Sequence, residues 1–347
     1  MSSNSGQGQG QGQGTLDMWL SKKPSSKPAA STSEQPSSSS TPASSSSQPS
    51  RSWRNRRKDP WRQGAGLAAV AKETRTVLPD ILNGLPDIEA SKSEALYYET
   101  LQPLKAAECP KRTPSGTTTI KIVNDDSFNA AIDLASSKDP SSGRVAVLNM
   151  ASNVSPGGGW LKGARAQEEA LCYRSSLYLS LHRRYYPWKQ RMGVYSPDVV
   201  IIRSDQDSGH KLLMPDVDVE NLPIVSVLSI AALRTPPVAR AAEKQPDGSY
   251  IDRLVFANPT DRDMTKIKMR ICLRMAARRN HGLLVLGALG CGAFRNPPKE
   301  VAHCWLEVLQ EPEFQGGWWE EVWFAVFDRR NEGNLEVFEE VLGGVEI

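Results

Sequence analysis

Two stretches of this chain share one layout, and together they restrict the fold more than any other feature. Val145-Ala-Val-Leu-Asn149 is an apolar run that reads as a buried β-strand, and Pro156-Gly-Gly-Gly-Trp-Leu-Lys-Gly-Ala-Arg-Ala-Gln-Glu-Glu169 follows it. Ala170, Tyr173, Leu177 and Leu181 then recur three and four apart, as on one helix face. Farther on, Leu283-Leu-Val-Leu286 feeds a second glycine-rich turn with Gly287, Gly290 and Gly292, and Pro297 or Pro298 suits the first turn of another helix. A strand, a glycine loop and a helix in that order, twice, predict an α/β domain with its loops at the C-terminal strand ends, where such sheets collect ligands.

The first loop carries chemistry as well as geometry. Backbone without Cβ can approach an anion closely, and free N–H groups at a loop and a helix N-terminus favour negative charge. Glu168 and Glu169 are then held beside whatever Gly157, Gly158 and Gly159 grip. Taken singly, each loop fits a blander account: a turn needing positive φ, or acidic residues complementing a helix dipole. Two such loops in one domain shift the balance, because a diphosphate needs two anion-binding surfaces. The expected ligand bears phosphate and meets an acid at its reactive end.

The rest of the chain supplies the frame. Residues 1–60 are rich in Ser, Gln, Gly and Pro and almost free of aliphatic side chains, so they are expected to be disordered. To Arg62 there are nine Lys and Arg against three Asp and Glu; this surplus of six exceeds the whole-chain +3 and leaves the remainder at −3. A strongly basic nucleic-acid-binding face is therefore not expected on the domain. An Ala-rich helix is predicted over 62–82, ended by Asn83-Gly84, with further helices over 127–136, 167–184, 261–280 and 297–310. Strands are predicted at 119–123, 145–149, 198–203, 224–230, 253–257, 283–287 and 322–327. Five cysteines (109, 172, 272, 291, 304) form no Cys-x-x-Cys pair and, being odd in number, no complete disulfide framework, which favours a reducing compartment. His182, His210, His281 and His303 show no metal-ligand spacing, so neither metal nor cofactor is expected. No apolar stretch approaches the about 18 residues of a membrane span.

Gly-Gly-Gly, seven residues, then Gln-Glu-Glu resembles the signature of poly(ADP-ribose) glycohydrolases. Val-Leu-Asn-Met-Ala-Ser…Gln-Glu-Glu-Ala-Leu-Cys-Tyr-Arg-Ser-Ser-Leu resembles in particular their shorter microbial and fungal branch. Gly-Cys-Gly-Ala-Phe294 resembles the second phosphate loop of macrodomains. The resemblance runs from about Arg62 to the C-terminus. It implies a macrodomain-like three-layer α/β/α domain with a mixed sheet over 61–347, its core spanning about 115–347 behind a helical segment of about 61–110.

It also implies roles. Glu169 would be the general acid and then the base, Glu168 would position ribose hydroxyls, and Gln167 would support the loop. Gly157, Gly158, Gly159, Gly290, Cys291, Gly292 and Ala293 would offer backbone donors to the diphosphate. Asn149 would meet the distal ribose or the adenine, and Phe294 would pack under the ribose. Phe327 resembles the aromatic that stacks on the distal ribose, although alternation alone fits a core aromatic equally well. The implied reaction is hydrolysis of ribose–ribose bonds in poly(ADP-ribose), releasing ADP-ribose, with poly(ADP-ribosyl)ated proteins as further partners. Two alternatives stay open: a non-catalytic ADP-ribose reader, and a hydrolase of single protein-linked units.

Within the tail, Gln13, Leu16, Trp19 and Leu20, followed by Lys22-Lys23, resemble the box by which replication and repair proteins dock on the sliding clamp PCNA, although Leu20 stands where a second aromatic is usual. Arg51-Ser-Trp-Arg-Asn-Arg-Arg-Lys58 is a basic cluster of the nuclear-import type. Both point to the nucleus and to DNA repair, with the cytoplasm as a second location.

Overall fold

The computed structural model describes residues 60–244, 247–329 and 331–347, with side chains from Gly66 onward. The chain divides into a unit ending at Arg62 and a unit from Gln63 to Ile347. The clamp-like box at 13–20 and the basic cluster at 51–58 lie outside the described residues.

Seven strands form the main sheet: β1 (Glu94–Tyr97), β2 (Ile120–Val123), β3 (Ala146–Met150), β4 (Met192–Val200), β5 (Ile224–Ile230), β8 (Leu283–Leu286) and β9 (Glu321–Ala325). Their order is β1-β4-β5-β3-β8-β9-β2. From β5 to β2 the neighbours run parallel, whereas β4 and β1 add an antiparallel edge. The sheet is thus mixed, and its parallel core requires cover on both faces.

Side-chain alternation shows how that cover divides. Ala146, Leu148, Leu228, Ile230, Leu284, Leu286, Val322 and Phe324 point to one face and join a core with α5 (Pro259–Arg278), α6 (Pro298–Leu309) and α7 (Asn334–Leu342). Their alternates, such as Val147, Asn149, Leu283 and Val285, are buried on the other face. There α2 (Ser127–Ser136) packs on β3 and β8, and α3 (Gln167–Arg174) packs on β3. The outcome is the three-layer α/β/α arrangement. No helix among the described residues is long and apolar enough to cross a membrane.

Three expectations need correction. The helix expected over 167–184 stops at Arg174 and resumes only as the short α4 (Leu177–Ser180). Ser175 is extended and bridges Ile201, while the N–H groups of Ile202 and Arg203 donate to Arg174 O. Its hydroxyl turns back to Leu171 O at 2.7 Å, the usual way a serine competes with helical backbone. The strand expected at 198–203 instead runs Met192–Val200 through Pro197, and its register shifts between Ser196 and Val199, because proline cannot donate to the ladder. The run at 253–257 does not enter the main sheet: β7 (Tyr250–Phe256) pairs with β6 (Val238–Lys244) in a separate hairpin. In addition, the helical segment before the core contains β1, an edge strand too short to show a period.

The initial helix, α1 (Pro60–Asn83), is tied to the site region by one buried hydroxyl. Thr74 Oγ1 donates to Tyr173 O at 2.8 Å and accepts from Arg203 Nε at 2.9 Å.

Candidate active site

The first glycine loop joins the end of β3 to the start of α3. Gly157 and Gly158 have φ of +66° and +58°, in the left-handed region that L side chains avoid. The surroundings are equally restrictive. A Cβ on Gly158 would lie 2.3 Å from Glu169 Oε1 and 3.2 Å from Glu168 Oε2, so both carboxylates close on the same point. A Cβ on Gly157 would strike the Trp160 ring at 2.7 Å.

Each member of the Gln-Glu-Glu triplet is held by backbone from another segment. Met150 N donates to Gln167 Oε1 at 2.9 Å, and Gln167 Nε2 donates to Leu148 O at 2.7 Å and Ser127 Oγ at 3.1 Å. Ser152 N donates to Glu168 Oε2, and Gly159 N donates to Glu169 Oε1, each at 2.8 Å. The Tyr173 hydroxyl donates to Trp160 O and Ala164 O, which pins the turn over the acids. The expectation for this loop therefore changes. Gly157 N–H faces Glu168, Gly158 N donates to Ser155 O, and Gly159 N is taken by Glu169. These donors are committed within the protein, and in this structure the loop's direct task is to seat the acid pair.

The second loop presents the free donors. Among the described residues the N–H groups of Gly290, Gly292, Ala293 and Phe294 have no protein acceptor, whereas Cys291 N donates to Ala288 O. Gly290 has φ +77°, and its Cβ would sit 2.5 Å from both Ala232 Cβ and Asn296 Nδ2. Asn296, which the sequence reading passed over, braces the loop by donating to Leu233 O at 2.7 Å and Gly290 O at 3.1 Å.

A cleft of about 280 Å³ runs along this loop and is lined by Gly290, Gly292, Ala293, Phe294, Phe327 and Gln167, among others. That is near the lower end for ligand pockets. Phe327 lies past the end of β9 and is 51% exposed, which decides against a core aromatic. Cys291 is not on the wall. Nor are Glu168 and Glu169, only 3% and 7% exposed, although Arg165, Ala166, Gln167 and Ala170 on either side of them line it. Asp126, Asp205 and Asp207 add an acidic side that the sequence reading missed. Asp126 caps α2 through Phe128 N at 2.8 Å and pairs with the fully buried Arg174. A carboxylate one residue before a predicted helix was the available signal.

Asn149 is fully buried, and its Nδ2 donates to Ser229 Oγ at 3.0 Å across the β3–β5 pair. Its Oδ1, Glu168 Oε1 and Glu169 Oε2 are buried acceptors without a protein partner. Burial pushes the Glu168 carboxyl up to about 8, and the neighbouring Glu169 charge adds to the rise; the Ser152 N–H opposes it. Near neutral pH the Glu168 carboxyl thus retains its proton. Tyr186, another residue the sequence did not single out, has its hydroxyl buried and unpartnered. Burial raises its pKa first, and the Glu168 charge raises it further.

Comparison with known proteins places this arrangement. Residues 74–204 match the family model described as microbial-type PARG, catalytic domain. The structure is similar to poly(ADP-ribose) glycohydrolase from Deinococcus radiodurans in complex with ADP-ribose, at 30% identity and a TM-score of 0.55, covering 72% of this chain and 94% of that one. The chain belongs to the poly(ADP-ribose) glycohydrolase family. Poly(ADP-ribose) glycohydrolase from Thermomonospora curvata is similar at 26% identity with a TM-score of 0.60, covering 80% of this chain and 99% of that chain. No curated protein sequence matches. Within the family region fall the whole first loop, the Gln-Glu-Glu triplet and Asn149, while the second loop and Phe327 lie beyond residue 204.

Proposed function

We propose that this chain hydrolyses ribose–ribose O-glycosidic bonds in poly(ADP-ribose) and releases ADP-ribose, with Glu169 as general acid and base. The observation that carries the reading is the buried acid pair, seated by separate backbone donors in the helix turn that walls the cleft. A protein that only reads ADP-ribose needs the glycine loops but no such pair. Family membership supports the same conclusion.

Breaking the bond passes through an oxocarbenium-like state and requires a proton on the departing ribose oxygen. Glu169 delivers it to the leaving oxygen; the resulting carboxylate then takes a proton from the water that attacks the anomeric carbon. Glu168 and Asn149 offer their unpartnered oxygens to ribose hydroxyls. Adjacent residues seated at one point cannot flank the bond as two opposed carboxylates do, so one carboxylate serves chemistry and the other serves binding. Donors for the diphosphate come from Gly290, Gly292, Ala293 and Phe294, and Phe294 and Phe327 supply ring faces.

The purified chain is expected to shorten poly(ADP-ribose) and release ADP-ribose without added metal. Chains of defined length, resolved by chromatography, test this. Tight binding of ADP-ribose with no chain shortening would assign a reader instead, and release of the protein-proximal unit would add the single-unit activity.

The tail extends the proposal to location. Gln13, Leu16, Trp19 and Leu20 would dock on PCNA, and Arg51–Lys58 would direct the protein to the nucleus for DNA repair, where poly(ADP-ribosyl)ated proteins are the partners. A peptide covering Gln13–Lys23 is expected to bind PCNA and to lose binding when Leu16 and Trp19 are both alanine. Calorimetry with no heat and no competition against a clamp-binding peptide would make the box a chance pattern.

A further inference from the structure

A second groove, of about 630 Å³, lies outside the turn that covers the acid pair and is lined by Ala68, Lys72, Arg75, Thr76, Leu161, Tyr178 and Leu179. Its basic wall comes from α1, where positions 68, 72, 75 and 76 share one face at helical spacing. Lys72 and Arg75 are exposed and form no ion pair among the described residues. Elsewhere on the domain Lys138, Arg270 and Arg279 each face a carboxylate. The opposite wall is apolar and aromatic. Leu161 is 52% exposed, and Tyr178 lies against Trp160 with ring centroids 4.9 Å apart. The Arg75 charge reaches the Tyr178 hydroxyl, so cation and ring share one space.

Position gives this surface its meaning. Trp160–Lys162 is a single 3-10 turn, preceded by Gly159, whose N–H holds Glu169. Leu161 on that turn faces the groove, and Arg165, four residues later, faces the cleft. The turn that carries Leu161 into the groove therefore follows directly on the residue that holds Glu169.

We infer that the groove binds the next ADP-ribose unit of the polymer, its diphosphate on Lys72 and Arg75 and its adenosine against Leu161 and Tyr178. The inference rests on the proposed hydrolysis. If the terminal unit fills the cleft up to the acid pair, the bond under attack leads outward past the turn, and the departing chain meets this groove. A diphosphate between two uncommitted cations gains charge-assisted hydrogen bonds, and a flat base gains a ring face. The groove would favour polymers over single units.

The test is the charge-reversed double variant Lys72→Glu with Arg75→Glu, both at exposed positions, with circular dichroism as the check on folding. For oligomers of two or more units, KM is expected to rise about tenfold, and its dependence on salt to flatten. Binding of free ADP-ribose, read by calorimetry, should persist. Lys72→Arg with Arg75→Lys should keep KM near that of the unaltered chain. An unchanged KM for protein-free oligomers overturns the inference. So does a defect confined to protein-attached chains, which would give the groove to an acidic protein segment. Failure of the hydrolysis reading is seen separately, since the unaltered chain would then show no chain shortening at all.

Discussion

Glu169→Gln is expected to lower the initial rate of ADP-ribose release from poly(ADP-ribose) by roughly 10²-fold or more, the range for loss of a general acid–base. The substitution is close to isosteric, and the amide oxygen can still accept from Gly159 N, which Glu169 Oε1 does at 2.8 Å. The loop over the acids therefore keeps its anchor, and ADP-ribose binding should be retained. What is removed is the group that protonates the leaving oxygen and then activates water. An undiminished rate with a folded variant would take Glu169 out of the mechanism and leave the buried pair as a binding element.

Glu168→Gln separates stability from activity. The Glu168 carboxyl is held at about 8 chiefly by burial, so folding favours its neutral form. Below the unfolded carboxyl value near 4.5 both states bind the proton and the shift has no effect on stability. As pH rises from there to about 8, the unfolded state loses the proton first, and stability falls. Above that window the ionised carboxylate costs roughly 5 kcal/mol, before any local relaxation. Replacing it with a neutral amide should leave stability near that of the unaltered chain at pH 5 and raise it by several kcal/mol at pH 9, as read by denaturant unfolding. Activity should fall at both values, because a ribose contact is lost. Equal stability of the two proteins at pH 9 would show that the site ionises without penalty.

Much of the site was legible in contiguous residues, for a physical reason. Glycine at 157 and 158 is dictated by left-handed backbone and by contacts within the same strand–loop–helix unit, so its cause lies a few residues away. The apolar runs at 146–150 and 283–286 and the helices after them follow from local period and burial, and these place both loops at strand ends. The order Gln167-Glu168-Glu169 within the first turn of α3 is equally local.

The tertiary structure decided what distant segments impose. That the first loop spends its donors within the protein, Gly159 N on Glu169 among them, and leaves the free ones to the second loop depends on how α3 turns back under Gly159. Arg174 ends its helix because the chain after β4 reaches across to bond it, although the apolar spacing continues to Leu181. The edge strand β1 shows no period of its own and exists through its pairing with β4. Exposure at Phe327 and burial at Glu168 came from the surroundings, where alternation along the chain fits either environment. Backbone conformation is written in neighbouring residues; burial, charge and the direction of a hydrogen bond are set by whatever the rest of the chain brings to that place.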